Sequence, residues 1–174
     1  MEQSNVLNLA AYMRKRYAII NNNEVLTEQK THLLLYFAQR ESFIRHGKPL
    51  FDADFYAQQF GPSLHEIHNA YADLSIYKIE PVPLTSQQML VMNYIFAQYG
   101  EKATASLSRL TKGQTSYQNA RKGIDEYAQS NELMLLSDIE FDAQQQSERR
   151  KMLKEYNKEK EEREASLKAR IQPE

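Results

Sequence analysis

The sequence predicts a mainly α-helical fold: a single compact helical domain with a short extended Pro-containing connector and a long charged C-terminal helix. Three observations predict this class. Apolar residues recur at helical spacing along most of the chain, only 5 Gly and 5 Pro occur among 174 residues, and capping patterns open the periodic segments. A chain of this length can bury one sizeable core. We place the helical domain at residues 1–142 and a charged helix or flexible tail at residues 143–174.

Two helices are expected before Gly47. The first carries an apolar stripe formed by Val6, Leu9, Ala10, Met13 and Tyr17. The polar run at residues 21–24 then breaks the periodicity. Thr27 is a favoured N-cap residue directly before the second periodic segment, and Gly47 is a favoured C-terminal stop. The second helix should therefore lie between them.

Residues 48–61 are expected to form a turn followed by a short helix or an irregular segment. A further helix should begin at Ser63, because Ser63 and Glu66 have the spacing of a capping box, in which each side chain accepts the backbone N–H of the other residue. Its apolar stripe consists of Leu64, Ile67, Tyr71 and Leu74. Glu66 would then have a structural task.

The same segment raises an alternative, a metal site of the hydrolase type at His65, Glu66 and His68. The hydrolase pattern H-E-x-x-H places its two His one helical turn apart. Here the two His are three residues apart, so a third ligand would be needed. The chain also has no Cys. We favour the capping interpretation, expect no metal and no other cofactor, and keep a metal hydrolase as the last alternative.

The middle of the chain should contain an extended connector at residues 78–84, because two prolines within three residues exclude a helix. Thr85 and Gln88 form a second capping box, and the helix that they open should end at Gly100.

A shorter helix is expected at about residues 104–110. Thr115 and Gln118 suggest a third capping box, which would open a helix to about Ser130. Beyond residue 143 the composition is mostly Glu, Lys, Arg and Gln, which is typical of a solvated helix or a helix-prone tail. Partner binding through Met152 to Tyr156 is an alternative for this tail.

The hydrophobic core is expected to be built from the apolar positions of these helices and of the turn-rich segment between them. We expect it to include Leu34, Leu35, Phe37, Phe51, Phe55, Phe60, Ile67, Tyr71, Ile95, Phe96 and Leu110.

Several function classes find no support in the composition or the motifs. No phosphate-binding loop, G-x-G-x-x-G, S-x-x-K or G-x-S-x-G pattern occurs. Asp52 and Asp54 could suggest magnesium, but Asp52 is better placed as an N-cap. The net charge of −1 argues against nucleic-acid binding, which usually requires a basic surface. No segment approaches the ~18 apolar residues of a membrane span. We therefore expect a cytoplasmic, non-enzymatic binding protein.

Residues 33–74 resemble the core of the Panacea domain, also described as SocA-like or phage-associated. The matching residues are Tyr36, Ala38, Gln39, Gly47, Pro49, Leu50, Phe51, Asp54, Phe55, Phe60, Gly61, Pro62, Glu66, Ala70 and Tyr71. A second matching region contains Leu110, Thr111, Ala120 and Arg121, with Tyr117 where relatives carry Trp. Relatives carry Pro and Tyr at the positions of His65 and His68, which argues further against a metal site.

The resemblance implies a non-enzymatic antitoxin that neutralises a protein toxin by direct binding, often encoded on a prophage or mobile element. It leaves two alternatives open: an adaptor that delivers a toxin to a protease, and a phage-encoded inhibitor of a host system.

The candidate partner-binding residues lie between Lys48 and Asn69. This segment is turn-rich, yet it holds most of the residues that carry the resemblance, and Gly and Pro residues should fix its backbone. A rigid loop presents polar side chains at little ordering cost. The candidates are Lys48, Asp54, Gln58, Gln59, His65 and Asn69.

Overall fold

The computed structural model describes residues 5–171, and it confirms a mainly α-helical, single compact domain. The α-helices are α1 (Asn5–Ile20), α2 (Glu28–His46), α3 (His65–Ala72), α4 (Ser86–Tyr99), α5 (Thr104–Lys112), α6 (Thr115–Ala120) and α7 (Leu136–Ile171). The strands are β1 (Phe55–Gln58), β2 (Gly61–Leu64) and β3 (Glu132–Leu133), in the sheet order β2-β1-β3. A 3-10 helix covers Ser75–Lys78.

Helix α2 is the central element of the core, and the residues predicted to begin and end it do so. The Thr27 side chain accepts the backbone N–H of Lys30, and Gly47 adopts a left-handed conformation with φ of 67°. Every residue from Lys30 to Ser42 is buried, because helices, strand β2 and the inner part of α7 surround α2. A helix buried on all sides shows little amphipathic periodicity.

The capping box at Thr85 and Gln88 is also confirmed, and α4 ends at Gly100 as predicted. The connector before it has no helix or strand from residue 79 to residue 85. Asn8 of α1 holds this connector, because its Oδ1 accepts the backbone N–H of Val82 at 2.8 Å. The backbone N–H and C=O of Val82, which lies between the two prolines, are thus both bonded by a side chain of α1.

The segment from Phe55 to Leu64 was predicted wrongly, because it forms an antiparallel β-hairpin rather than an irregular connection. Phe55 pairs with Leu64, and Gln58 pairs with Gly61 across a two-residue turn. Ser63 lies within β2 and does not cap α3, whose N-cap position is Leu64 without a side-chain bond. Strand pairing therefore replaces the expected capping box.

The third capping box is wrong as well. Thr115 is the first residue of α6, and the helix ends at Ala120 instead of continuing to Ser130. A tertiary acceptor replaces the local cap: the Asp142 carboxylate accepts the backbone N–H of Ser116 at 3.2 Å. Sequence spacing alone could not reveal an acceptor that lies on another helix.

Nine of the eleven predicted core residues are buried, and Phe60 and Leu110 are the two exceptions, with exposed fractions of 58% and 44%. Phe60 stands in the turn of the hairpin, where no second layer covers it. Leu110 lies beside the buried face of α5 that Leu107 and Thr111 form.

Helix α7 passes without a break through the predicted boundary at residues 142 and 143. Its inner part, residues 136–150, packs on α2 and α6. Asp142 is buried there and accepts a hydrogen bond from the Tyr36 hydroxyl at 2.7 Å, while Arg150 pairs with the buried Glu41 carboxylate through two bonds of 3.1 and 2.8 Å. Beyond this pair every residue from 151 to 171 is exposed. We call residues 151–171 the outer helix.

Candidate functional site

An open pocket of about 760 Å³ lies beside the β1–β2 turn. We call it the hairpin groove. Its walls come from the first turns of α2, the hairpin, the start of α3 and the segment before β3. The lining residues are Glu28, Gln29, His32, Leu33, Gln58, Gln59, Phe60, Gly61, Pro62, Ser63, His65, His68, Gln129, Ser130 and Asn131.

Three buried or partly buried donors hold the backbone of the hairpin. The Ser108 hydroxyl bonds the carbonyl of Phe60, and the Tyr117 hydroxyl bonds that of Gln58 at 2.6 Å. The Arg121 guanidinium donates to the carbonyl of Ala57 at 3.1 Å. These donors lie on α5, on α6 and directly after α6, in the second region of family resemblance. They bond the backbone of the hairpin, which belongs to the first region.

Gly61 allows the hairpin to approach the helices. Its φ of +131° lies in a region that residues with a Cβ rarely adopt. A Cβ at this position would lie 2.9 Å from Leu33 Cδ2 and 3.2 Å from Thr111 Oγ1. The glycine of the aromatic-Gly-Pro step is therefore required both by backbone conformation and by close packing.

Arg121 also fixes the far wall of the groove. Its Nη2 donates to the carbonyls of Asp125 and Ala128, each at 2.7 Å, so it holds the loop that leads into residues 129–131. The His65 ring stacks on Tyr56 with centroids 3.8 Å apart and bonds Asn131 Oδ1 at 2.9 Å. The groove is thus closed on this side by contacts between three separate chain segments.

A carboxylate and two imidazoles meet at the opposite wall. Glu28 Oε1 lies 2.6 Å from His68 Nδ1 and 3.3 Å from His32 Nε2. The backbone N–H of Leu64 donates to His32 Nδ1 at 3.1 Å, which requires an unprotonated Nδ1 and places the ring proton on Nε2. Burial lowers the pKa of His32, and the hydrogen bond and charge of Glu28 oppose that shift. His32 is therefore held neutral, with its N–H directed at Glu28.

The structure brings together some of the sequence-predicted site residues and separates others. Gln58, Gln59 and His65 line the hairpin groove. Lys48, Asp54 and Asn69 are exposed and do not line it.

Sequence reasoning missed the exposure of Phe60 and the wall that contains Asn131. The exposure of Phe60 could have been suspected from its position directly before Gly-Pro, which is a turn signal. The position of the wall that contains Asn131 depends on the contacts of Arg121, and no local sequence pattern indicates those contacts.

Within residues 5–171, no group of three or more His, Cys, Asp or Glu side chains has an arrangement that could hold a metal ion. Over the same range, no helix combines the length and the apolar character needed to cross a membrane.

These features define a mainly α-helical domain with an inserted hairpin and an open, preformed groove. Residues 33–118 match the family model described as antitoxin SocA-like, Panacea domain. The resemblance to the SocA-like Panacea family is thereby confirmed over residues 33–118. No curated protein and no solved structure matches the chain.

Proposed function

We propose that this protein is a non-enzymatic antitoxin that neutralises a protein toxin by direct binding, and that the toxin docks on the β1–β2 turn and the adjoining groove. The observation that carries the proposal is Phe60, a family-matching aromatic residue that stands 58% exposed on a fixed hairpin. Together with the match of residues 33–118 to the model of an antitoxin-like family, it supports a binding role for this surface.

The hairpin has the physical properties of an interface centre. Large aromatic side chains dominate binding energy when a partner buries them, and polar neighbours then exclude water around them. Gln58 ends β1, Gln59 precedes Phe60 in the turn and His65 begins α3, and all three line the same groove as Phe60. Because Ser108 and Tyr117 already hold the turn, little conformational freedom is lost on binding. The proposal keeps Gln58, Gln59 and His65 as contact residues and leaves Lys48, Asp54 and Asn69 at its periphery.

Co-expression with the product of the adjacent small gene tests the proposal. We expect that gene alone to arrest growth and the wild-type chain to restore it. Phe60→Ala should fail to restore growth, whereas Tyr156→Ala, which removes an aromatic side chain of similar exposure (64%) from the outer helix, should restore it. The proposal fails if the wild-type chain does not restore growth against any neighbouring gene, or if Phe60→Ala restores growth fully.

A proteolytic adaptor is the second candidate, and the outer helix is the observation that favours it. Its residues are all exposed, and a helix roughly 30 Å long offers a handle for a second protein. In this case the half-life of the toxin should fall when the protein is present, and deletion of the outer helix should restore it. An inhibitor of a host system would instead lack any toxin gene in its genomic neighbourhood.

A further inference from the structure

The charge of the hairpin groove selects one kind of ligand. Glu28 is its single lining carboxylate, and no Lys or Arg lines it. Glu28 lies in the first turn of α2, where the helix dipole stabilises a negative charge. His32 is neutral and donates a hydrogen bond to it, and His68 Nδ1 lies 2.6 Å from the same carboxylate oxygen. A group with a positive charge complements this carboxylate, whereas the phosphates of a nucleotide find no Lys or Arg among the lining residues.

The other walls are rich in carboxamides. Gln58, Gln59 and Asn131 line the groove together with Gln29 and Gln129. A carboxamide presents a donor and an acceptor side by side, which matches the alternating N–H and C=O groups of an extended peptide. The groove therefore offers side-chain partners for a main chain.

Strand β2 is poorly suited to the alternative of adding a further strand. Pro62 has no N–H to donate, and the N–H of Leu64 is already bonded to His32. A bound segment would thus rely on the carboxamide side chains more than on the strand edge.

The groove is built before any ligand arrives. Arg121 holds the loop that leads into residues 129–131, and Asn131 is bonded to His65. The volume of about 760 Å³ lies in the range of pockets that enclose compact ligands. That size fits a few residues of a chain.

We propose that the hairpin groove binds a short extended segment of a protein partner, with the carboxamides contacting its main chain and Glu28 contacting a Lys or Arg side chain. This inference rests on the proposed function for the identity of the partner as a toxin, but the groove can be tested without that toxin.

The test is an NMR titration of the full chain with two capped tetrapeptides, acetyl-Ala-Lys-Ala-Ala-amide and acetyl-Ala-Glu-Ala-Ala-amide, and with AMP as a third probe. We expect the lysine peptide to shift the side-chain amide signals of Gln59 and Asn131. It should bind about fivefold more tightly than the glutamate peptide, the size of one exposed ion pair.

Two variants separate the parts of this inference. Glu28→Gln keeps the hydrogen-bonding capacity toward His68 and should reduce the preference for lysine to less than about twofold. Glu126→Gln, an exposed residue that does not line the groove, should leave the preference unchanged.

The inference is overturned if no probe shifts these signals, if both peptides bind equally, if AMP binds more tightly than the lysine peptide, or if Glu28→Gln keeps the full preference. If the peptide titration gives one of these results but the chain still restores growth against the toxin, the proposed function stands. Peptide binding without rescue would overturn the proposed function alone.

Discussion

The hairpin and the outer helix differ in how strongly the sequence predicts them and in how many contacts they make with the rest of the fold. The outer helix has a strong compositional signal, yet all its residues are exposed. The hairpin of Phe55–Leu64 gives almost no local signal, yet Ser108, Tyr117 and Arg121 bond its backbone from behind. Local propensity therefore identifies a helix without showing that it packs, and rigidity at this surface comes from side chains distant in sequence.

Gly61→Ala should have the largest effect on stability. The added Cβ meets Leu33 at 2.9 Å and requires a strained φ, so we expect the free energy of unfolding to fall by about 2–4 kcal/mol. Urea denaturation measures it. Gly123→Ala is the matched control, because Gly123 also has a positive φ but no atom within 4 Å of the added Cβ. Equal losses in both variants would show that close packing at the hairpin contributes nothing.

Arg150→Ala should have the next largest effect and should act on α7 instead. It removes both bonds to the buried Glu41 carboxylate, although Arg45 still bonds Glu41 at 2.8 Å. We expect a loss of about 1–2 kcal/mol and faster hydrogen exchange in residues 136–150. Exchange in the hairpin should not change. If the hairpin loosened equally, the two regions would be one cooperative unit; Arg149→Ala, an exposed neighbour, is the control.

Acidification should produce a smaller loss of stability through His32. Because burial lowers the pKa of His32 in the folded state, the unfolded chain binds its proton first. The stability that the neutral ring provides is therefore complete above the usual pKa of 6.5, and it is lost as the pH falls from there towards the lowered value.

The measurement is urea denaturation at pH 7.5 and pH 5.5 for the wild type and His32→Gln, whose side-chain oxygen can still accept the N–H of Leu64. We expect a smaller difference between the two pH values in the variant. An identical difference would mean that His32 does not contribute to the pH dependence.

Much of the helical frame was predictable from sequence because its signals are local. Thr27, Gly47 and the pair Thr85 and Gln88 act within one turn of the helix ends that they define. The resemblance to the family added Gln39, whose role is visible only in the structure: its Oε1 accepts the backbone N–H of Leu50 at 2.7 Å. It thereby holds the turn after α2.

The site was less predictable because its determinants are tertiary. Ser63 and Glu66 have capping-box spacing, but pairing with β1 places Ser63 in a strand. Hydrophobicity alone predicts Phe60 in the core, and only the register of the hairpin places it in an exposed turn. The contact of Asn131 with His65 joins residues that are far apart in the chain.

Affinity for the cognate toxin, measured by calorimetry, tests most directly whether the hairpin or the outer helix is the docking site. The variants are Phe60→Ala and a chain that ends after Lys151, which keeps the Arg150–Glu41 pair. We expect Phe60→Ala to weaken binding by at least about 2 kcal/mol with little change in melting temperature. The shortened chain should bind as the wild type does. Loss of binding in the shortened chain, with normal binding by Phe60→Ala, would contradict the account and place the interface on the outer helix.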